Sequence, residues 1–150
     1  MPILFDEATR TFTLHTRNTT YQMQADRFGY LLHLYFGARA EGTMDYLLTY
    51  ADRSGCCTSP HEAGTRTYSL DVLPQEFPFQ GNGDLRSPVF VMRDGEGTFG
   101  CDLRYARHEI RAGKYGLPGL PAVYADAEAD GAQTLSVTLA DARCGVEVEL

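Results

Sequence analysis

Apolar and polar residues alternate along most of this chain. The alternation predicts half-buried antiparallel strands in four segments, at residues 10–16, 20–24, 134–139 and 146–150. A fifth segment, "YLLHLYFG" at residues 30–37, is almost continuously apolar, short and ended by glycine, which favours a strand buried on both faces. Weaker patterns predict three more strands, at residues 67–71, 88–93 and 102–111. The sequence therefore predicts an all-β fold, an antiparallel β-sandwich.

Other parts of the chain depart from this pattern. No run of ten or more residues has the three-and-four apolar spacing of an amphipathic helix. Residues 38–60 carry few strand signals, so we expect an irregular surface segment, where functional residues often lie. The last alternating run, "CGVEVEL" at residues 144–150, stops in mid-pattern. From this we expect one partial domain over residues 1–150 of a longer protein.

Composition narrows the classes of partner. A length of 150 residues suits one domain, and a net charge of −7 disfavours binding to nucleic acid. No apolar run approaches the roughly 20 residues of a membrane span, and no secretory signal opens the chain, so we expect a cytoplasmic protein without membrane contact. Cys56 and Cys57 are adjacent, whereas Cys101 and Cys144 are isolated, which gives no zinc-type spacing. We expect neither a metal nor a cofactor.

The stretch "EFPFQGNGDLRSP" at residues 76–88 is the densest candidate for a functional loop. A phosphate loop is followed by a helix, but here Ser-Pro and then a strand pattern follow, which excludes that interpretation. Gly81 and Gly83 instead indicate a shaped turn. Asp84 and Arg86 are two positions apart, so on an extended chain both side chains point to one side. They could pair with each other or with other groups, in a structural role or in contact with a ligand.

Sequence alone nominates no pair of catalytic carboxylates. Asp71 and Glu76 are expected to cap turns or to pair with arginines. His33 lies in the apolar run at residues 30–37, where a core imidazole with a satisfied hydrogen bond is the better interpretation.

Five blocks of the sequence resemble the N-terminal region of family 36 glycoside hydrolases, the microbial α-galactosidases, in order and spacing. The blocks are "YLLHLYFG", "DRSGCCTSP", "YSLDVLPQEFPFQGNGDLRSPVF", "DLRYARHEIRAGKYGLPGLPAVYAD" and "TLSVTLADARCGVEVEL". The most specific elements are EFP at 76–78, GxGDxR at 81–86, GK at 113–114 and LxGLP at 117–121. The resemblance runs from about Phe12 to Leu150.

This resemblance implies a fold and an activity. Such enzymes have an N-terminal β-supersandwich, similar to galactose mutarotase, followed by a (β/α)8 barrel and a small β domain. They release terminal α-1,6-linked galactose from melibiose, raffinose and stachyose with retention. Both catalytic aspartates lie on the barrel, so no catalytic residue is expected in this chain, which alone should be inactive. The resemblance also implies a homo-oligomer, with a tetramer expected for the parent. The fragment alone should expose apolar surface where the missing strands belong, so a dimer is expected for it.

The resemblance assigns one substrate contact. In tetrameric members, an Asp in a stretch resembling "DR" shortly before "SP" reaches the active site of a neighbouring subunit, and Asp52 matches it. The insertion "SGCC" with Thr58 lengthens this segment here, and the aromatic residue often found before "SP" is missing. For Gly81, Gly83, Asp84 and Arg86 the resemblance favours a structural or domain-interface role near the active-site rim.

A stand-alone carbohydrate-binding or interaction sandwich is the alternative function. Such modules usually stack sugars on exposed aromatic side chains. The absence of Trp lowers this alternative, whereas nine tyrosines keep it open.

Overall fold

The structure is a computed structural model that describes residues 2–48, 67–116, 118–121 and 131–150. Its strands form two antiparallel sheets, each with its strands in chain order. The first sheet contains β1 (Ile3–Asp6), β2 (Thr11–His15), β3 (Thr19–Ala25) and β4 (Leu31–Ala38). The second contains β5 (Arg104–Ala112), β6 (Gln133–Asp141) and β7 (Val146–Glu149). The predicted all-β antiparallel sandwich is confirmed, and the helical structure of the described residues is a 3-10 turn at Asp45–Leu47.

Alternation of side chains gives the first sheet one apolar and one polar face. On β2 and β3 the apolar face carries Phe12, Leu14, Met23 and Ala25, which contribute to the core or pack against it. The opposite face carries Thr and Gln side chains together with a histidine. The period of two in these segments therefore places one face against the second sheet, as the sequence predicts.

The core lies between the two sheets and continues beneath the segment that follows residue 67. Val137 and Leu139 of β6 supply its second-sheet side, and Leu31 and Leu32 of β4 its first-sheet side. The prediction that residues 30–37 are buried on both faces holds for the first half of that segment. Phe36, near its end, is 68% exposed.

Several contacts join the two sheets at their edges. The Tyr105 backbone N–H donates to the Gly29 carbonyl at 2.6 Å, and the Ile3 N–H donates to the Gln133 side-chain oxygen at 2.7 Å. The His108 ring packs between Phe5 and Phe12, with ring centroids 4.2 and 4.9 Å away. These contacts fix the position of one sheet relative to the other.

Two of the predicted strands are absent, and one observed strand was not predicted. Residues 67–71 form turns rather than a strand, and the Leu70 carbonyl accepts a hydrogen bond from Arg86 instead of from a neighbouring strand. Residues 88–93 alternate in burial but make isolated bridges, with Phe90 opposite Phe79 and Arg93 opposite Phe99. Strand β1 was missed, because four residues are too short a run to show a period.

Candidate functional site

The glycine-rich turn at residues 81–86 sits against the chain just before β5. Gly81 and Gly83 both have positive φ, 136° and 82°, a conformation in which only glycine is unstrained. The Cys101 N–H donates to the Gln80 carbonyl at 2.9 Å, which brings the two backbones together. A Cβ on Gly81 would lie 2.6 Å from the Cys101 nitrogen and 2.8 Å from the Gly100 Cα. Close backbone packing therefore requires glycine at position 81.

Asn82 links the turn to both sheets. Its side-chain amide donates to the Asp102 carboxylate, with Nδ2 2.5 Å from Oδ1, and also contacts the Tyr30 hydroxyl. Tyr30, at the start of β4, donates to the same Asp102 oxygen at 3.0 Å. Burial, with the Asp102 charge next in importance, raises the pKa of Tyr30 above its usual range. Sequence reasoning missed Asn82, because nothing in "GNGD" distinguishes an anchoring amide from a turn-forming one.

Arg104 closes this junction from the side of β5. Its Nε and Nη2 atoms lie 3.0 and 2.8 Å from Asp102 Oδ2, and its guanidinium lies 4.9 Å from the centroid of the Tyr30 ring. A third donor, Nη1, reaches the Phe28 carbonyl at 3.2 Å. The arginine therefore uses its planar fork to hold a carboxylate, an aromatic face and a backbone carbonyl at once.

Asp84 and Arg86 tie the other side of the turn to the loop at residues 70–75. Arg86 Nη2 donates to the carbonyls of Leu70 and Leu73 at 2.8 and 2.7 Å. The Asp84 carboxylate accepts from the Gln75 amide at 2.7 Å as well as from Arg86. The fork therefore stabilises a buried turn whose carbonyls have no strand partner.

Electrostatics hold this pair in its charged form. Burial by itself raises the pKa of the Asp84 carboxyl, but hydrogen bonds from the Arg86 side chain and backbone, and from Gln75, leave it below its usual value. Hydrogen bonding to Asp84 raises the pKa of Arg86. A carboxyl with a lowered pKa cannot serve as the protonated acid of a glycosidase at neutral pH.

A second polar cluster lies on the core side of β3 and β4. Glu76 accepts a hydrogen bond from the Tyr21 hydroxyl and lies 2.8 Å from His33 Nδ1. Burial and then the hydrogen bond to Glu76 raise the pKa of Tyr21. His33 is thus a half-buried imidazole with a satisfied hydrogen bond, as predicted, whereas the prediction that Glu76 caps a turn or pairs with an arginine is wrong.

Comparison with known proteins identifies the family. The family model described as "Glycosyl hydrolase family 36 N-terminal domain" matches residues 29–150. This chain belongs to that family. The matched region contains the whole glycine-rich turn, both polar junctions around it, and all strands from β4 onward.

Two curated relatives match the domain over its full length. The bifunctional α-galactosidase/sucrose kinase AgaSK of Mediterraneibacter gnavus is 52% identical over 151 residues, which cover 100% of this chain and 16% of the relative. The α-galactosidase AgaA of Geobacillus stearothermophilus is 38% identical over 159 residues, which cover 100% of this chain and 20% of the relative. The domain thus spans no more than a fifth of these relatives.

Solved structures agree with the fold. The galactosidase domain of AgaSK superposes with a TM-score of 0.91 at 51% identity, over 99% of this chain and 20% of that one. A crystal structure of AgaA in complex with raffinose superposes with a TM-score of 0.82 at 37% identity, over 93% of this chain and 19% of that one.

Some predicted features of the family 36 domain lie outside the described residues. Asp52, Cys56 and Cys57 are among them. Within the described ranges, no group of three or more His, Cys, Asp or Glu side chains is arranged to hold a metal ion. No helix in those ranges has the length and apolar character needed to cross a membrane.

Among the described residues, two groups of apolar side chains are exposed or line a cleft. Leu85, at 81% exposure, and the outward-facing Val89, Val91 and Phe99 follow the glycine-rich turn along the chain. An apolar cleft of about 590 Å³ lies between the strands of the first sheet and the segment after β5. Tyr21, Phe36 and Tyr115 contribute aromatic side chains to its lining.

Proposed function

We propose that this chain is the non-catalytic N-terminal domain of an α-galactosidase. The parent enzyme hydrolyses terminal α-1,6-galactosides such as melibiose and raffinose with retention of configuration, in the cytoplasm. One observation carries the proposal: residues 29–150 match the family 36 N-terminal domain, and the chain is 52% identical to part of AgaSK and superposes on its galactosidase domain with a TM-score of 0.91. The AgaA structure with raffinose supports the substrate class.

The chemistry of the glycine-rich turn supports a non-catalytic role. A retaining glycosidase needs one ionised and one protonated carboxyl about 5–5.5 Å apart. Asp84 and Asp102 each face an arginine of the domain itself, at 2.7 and 2.8 Å. The Arg86 pair keeps the pKa of Asp84 below its usual value, and in both pairs the arginine occupies carboxylate oxygens that a substrate would approach. The resemblance to family 36 hydrolases implies that the catalytic pair lies on a barrel domain of the parent enzyme, and that residues 1–150 form part of a β-supersandwich.

The proposed roles of the domain are to form contacts between subunits of the oligomer and to form part of the rim of the active site. The turn at residues 81–86 is hydrogen-bonded to Asp102, just before β5, and to the loop at residues 70–75, and the exposed apolar residues that follow it offer a surface for an adjoining domain or subunit. In a homo-oligomer, with a tetramer expected for the parent, Asp52 would enter the active site of a neighbouring subunit. There its carboxylate accepts hydrogen bonds from sugar hydroxyls.

Product analysis of the full-length protein tests the activity. Proton NMR of a raffinose digest should show α-galactose before its mutarotation to the β anomer, because retention conserves the anomeric configuration. Sedimentation equilibrium in the same buffer should give a multiple of the subunit mass. Initial release of β-galactose, or no release at all, would contradict the proposed reaction, and a monomer would contradict the assembly role.

A carbohydrate-binding module is the second candidate, and the cleft lined by Tyr21, Phe36 and Tyr115 favours it. Aromatic faces of this kind can stack against the apolar face of a sugar. Isothermal titration calorimetry of the 150-residue chain with galactose distinguishes a carbohydrate-binding module from a non-catalytic enzyme domain. Saturable binding that Tyr115→Ala abolishes would support the module, whereas the enzyme-domain proposal predicts no saturable binding.

A further inference from the structure

The segment at residues 88–93 has an inner and an outer side. Phe90 and Met92 pack against the core. Val89 and Val91 alternate with them and point away from the core, at 67% and 49% exposure. The segment is therefore an amphipathic extended layer, but its outward valines are apolar where a solvent-facing side would be polar.

Phe99 and Arg93 extend this outer side. They lie opposite each other in an antiparallel bridge, so their side chains point to the same side. The Arg93 guanidinium stands 5.7 Å from the centroid of the Phe99 ring, and Phe99 is 58% exposed. Since Arg93 comes two positions after Val91, these side chains share one face with the valines.

Leu85 projects from the glycine-rich turn just before this segment. Asp84 and Arg86, on either side of it, are bonded to each other and to the loop at residues 70–75. Leu85 points the other way and is 81% exposed. The ion pair thus holds an apolar side chain in a fixed place in solvent, so little conformational entropy is lost when a partner covers it. The outer face of the segment is defined here as Leu85, Val89, Val91, Arg93 and Phe99.

The outward sides of the two sheets are covered or charged. Gln22, on the polar side of the first sheet, is 1% exposed, and its amide donates to the Gly42 carbonyl at 2.6 Å in the segment that follows β4. The outward side of the second sheet carries ion pairs such as that of Arg107 with Glu147, at 2.8 Å. Among the described residues, the outer face differs from both because it is mainly apolar and open to solvent, which is typical of an interaction surface.

We propose that the outer face is the docking surface for an apolar part of the same parent chain outside residues 1–150. The inference rests on the proposed function, in which this chain is one domain of a larger enzyme. Only 16% of AgaSK and 20% of AgaA are covered by this chain, so a parent of similar length has the larger part of its chain outside this domain. Phe99 and Arg93 belong to the residue types enriched in protein interfaces, and the depleted acidic types are absent from the outer face.

Charge disfavours a second copy of the domain as the occupant. A symmetric contact places the same face of both copies against each other. The outer face contains Arg93 and no carboxylate, and each copy carries a net charge of −7. Such a contact would therefore bring like charges together both locally and overall. A different part of the parent chain can supply a carboxylate beside Arg93.

Photo-cross-linking of the full-length protein tests the inference. The photoreactive residue p-benzoylphenylalanine in place of Phe99 should form an intramolecular cross-link, which runs at the monomer mass on a denaturing gel. Peptide mapping should place this cross-link on a segment outside residues 1–150. The same probe in place of Arg107, on the charged side of the second sheet, is the control and should cross-link at least about tenfold less. A product at the dimer mass, cross-links confined to residues 1–150, or equal yields at the two positions would overturn the inference.

Leu85→Asp in the probe-bearing protein tests whether Leu85 belongs to the docking surface. An aspartate at so exposed a position leaves the fold intact but places a charge in the contact, so the yield of the Phe99 cross-link should fall by about fivefold or more. Leu4→Asp is the matched control, because Leu4 is 51% exposed on β1, at the opposite edge of the first sheet from β4. That variant should keep the yield within about twofold of the parent. Equal yields in the two variants would overturn the proposed surface.

Raffinose hydrolysis by the same preparations reports separately on the proposed function. An inactive protein that still cross-links outside residues 1–150 would contradict the activity and leave the docking surface in place. An active protein without this cross-link would contradict the docking surface alone.

Discussion

Arg86 and Asp84 are joined at two points, with Nε 2.8 Å from Oδ1 and Nη2 2.7 Å from Oδ2. The Asp84 side chain is only 2% exposed, whereas that of Arg86 is 46% exposed. The pair therefore consists of a buried carboxylate covered by a guanidinium that also binds two backbone carbonyls. Charge and hydrogen bonding together hold the glycine-rich turn in place. When the pair is broken, we expect the stability of the domain to fall before the enzymatic reaction changes.

Replacing Arg86 by Ala should destabilise the domain. The change leaves the buried Asp84 carboxylate without its cation and the Leu70 carbonyl without its side-chain donor, whereas the Leu73 carbonyl keeps the Gln75 N–H. We expect the loss to lower the free energy of unfolding by about 2–4 kcal/mol. Urea unfolding of the full-length protein, with hydrogen exchange of peptides covering residues 70–86, measures the effect. Arg107→Ala is the control, because its pair with Glu147 is exposed on both sides and should contribute less than about 1 kcal/mol.

The Arg86→Ala variant also tests the order of effects. We expect loss of stability or of subunit assembly before any change in the reaction of the molecules that remain folded. A variant that melts like wild type, assembles normally and yet loses activity would contradict this expectation and would place Arg86 in the active site.

Acid should weaken the Asp84 contribution. The pKa of this carboxyl is lower in the folded state than in the unfolded chain, where it is about 3.9. Its stabilisation is therefore fully present above the unfolded pKa and is lost as the pH falls through the folded value. Asp84→Asn should be less stable than wild type at pH 7, and the difference in urea midpoint should shrink below about pH 4. A gap that stays constant down to pH 3 would show that the charge of Asp84 contributes nothing.

Gly81 should tolerate no side chain. In Gly81→Ala the new Cβ meets backbone atoms of Gly100 and Cys101 at less than 3.0 Å, so the turn must move away from the chain before β5. Gly113→Ala is the control, since Gly113 also has a positive φ of 91° but open space where a Cβ would stand. Thermal melts should show a loss of about 1 kcal/mol for the control, from backbone strain, and a clearly larger loss for Gly81→Ala. Equal losses would contradict the close packing.

Cys101 should be almost unreactive in the folded protein. Burial, followed by the charge of Asp141, raises the pKa of its thiol to about 11. At pH 8 the thiolate fraction is then about 0.1%, compared with roughly a quarter for an ordinary thiol. Peptide-resolved iodoacetamide labelling should show Cys101 reacting at least a hundredfold more slowly than in urea, with about a tenfold gain per pH unit up to pH 10. Rapid labelling at pH 8 would contradict its burial.

Alternation in the sequence was sufficient to predict the strands that pack one face on the core. Apolar and polar residues alternate from Thr11 to His15 and from Thr134 to Leu139, and the apolar ones belong to the core or pack against it. The turn around Leu70 was missed because its burial depends on a distant donor. The Leu70 carbonyl accepts a hydrogen bond from the Arg86 side chain, sixteen residues away. Local patterns do not contain contacts of that kind.

The candidate site was predictable only in part. Spacing placed Asp84 and Arg86 on one side of the chain, and they do contact each other. The anchoring role of Asn82 and the covering of Gln22 by residues 40–44 depend on how the sheet faces are covered after folding. A glutamine on a polar strand face predicts solvent exposure, and only the fold reveals that a returning segment buries it.

The central claim is that this domain shapes an α-galactosidase without carrying its chemistry. The most direct measurement compares raffinose hydrolysis by the full-length protein with hydrolysis by residues 1–150 alone, at equal molar concentration. The account predicts galactose release by the full-length protein and none above background by the 150-residue chain. Release by the short chain, or no release by the full-length protein, would contradict it.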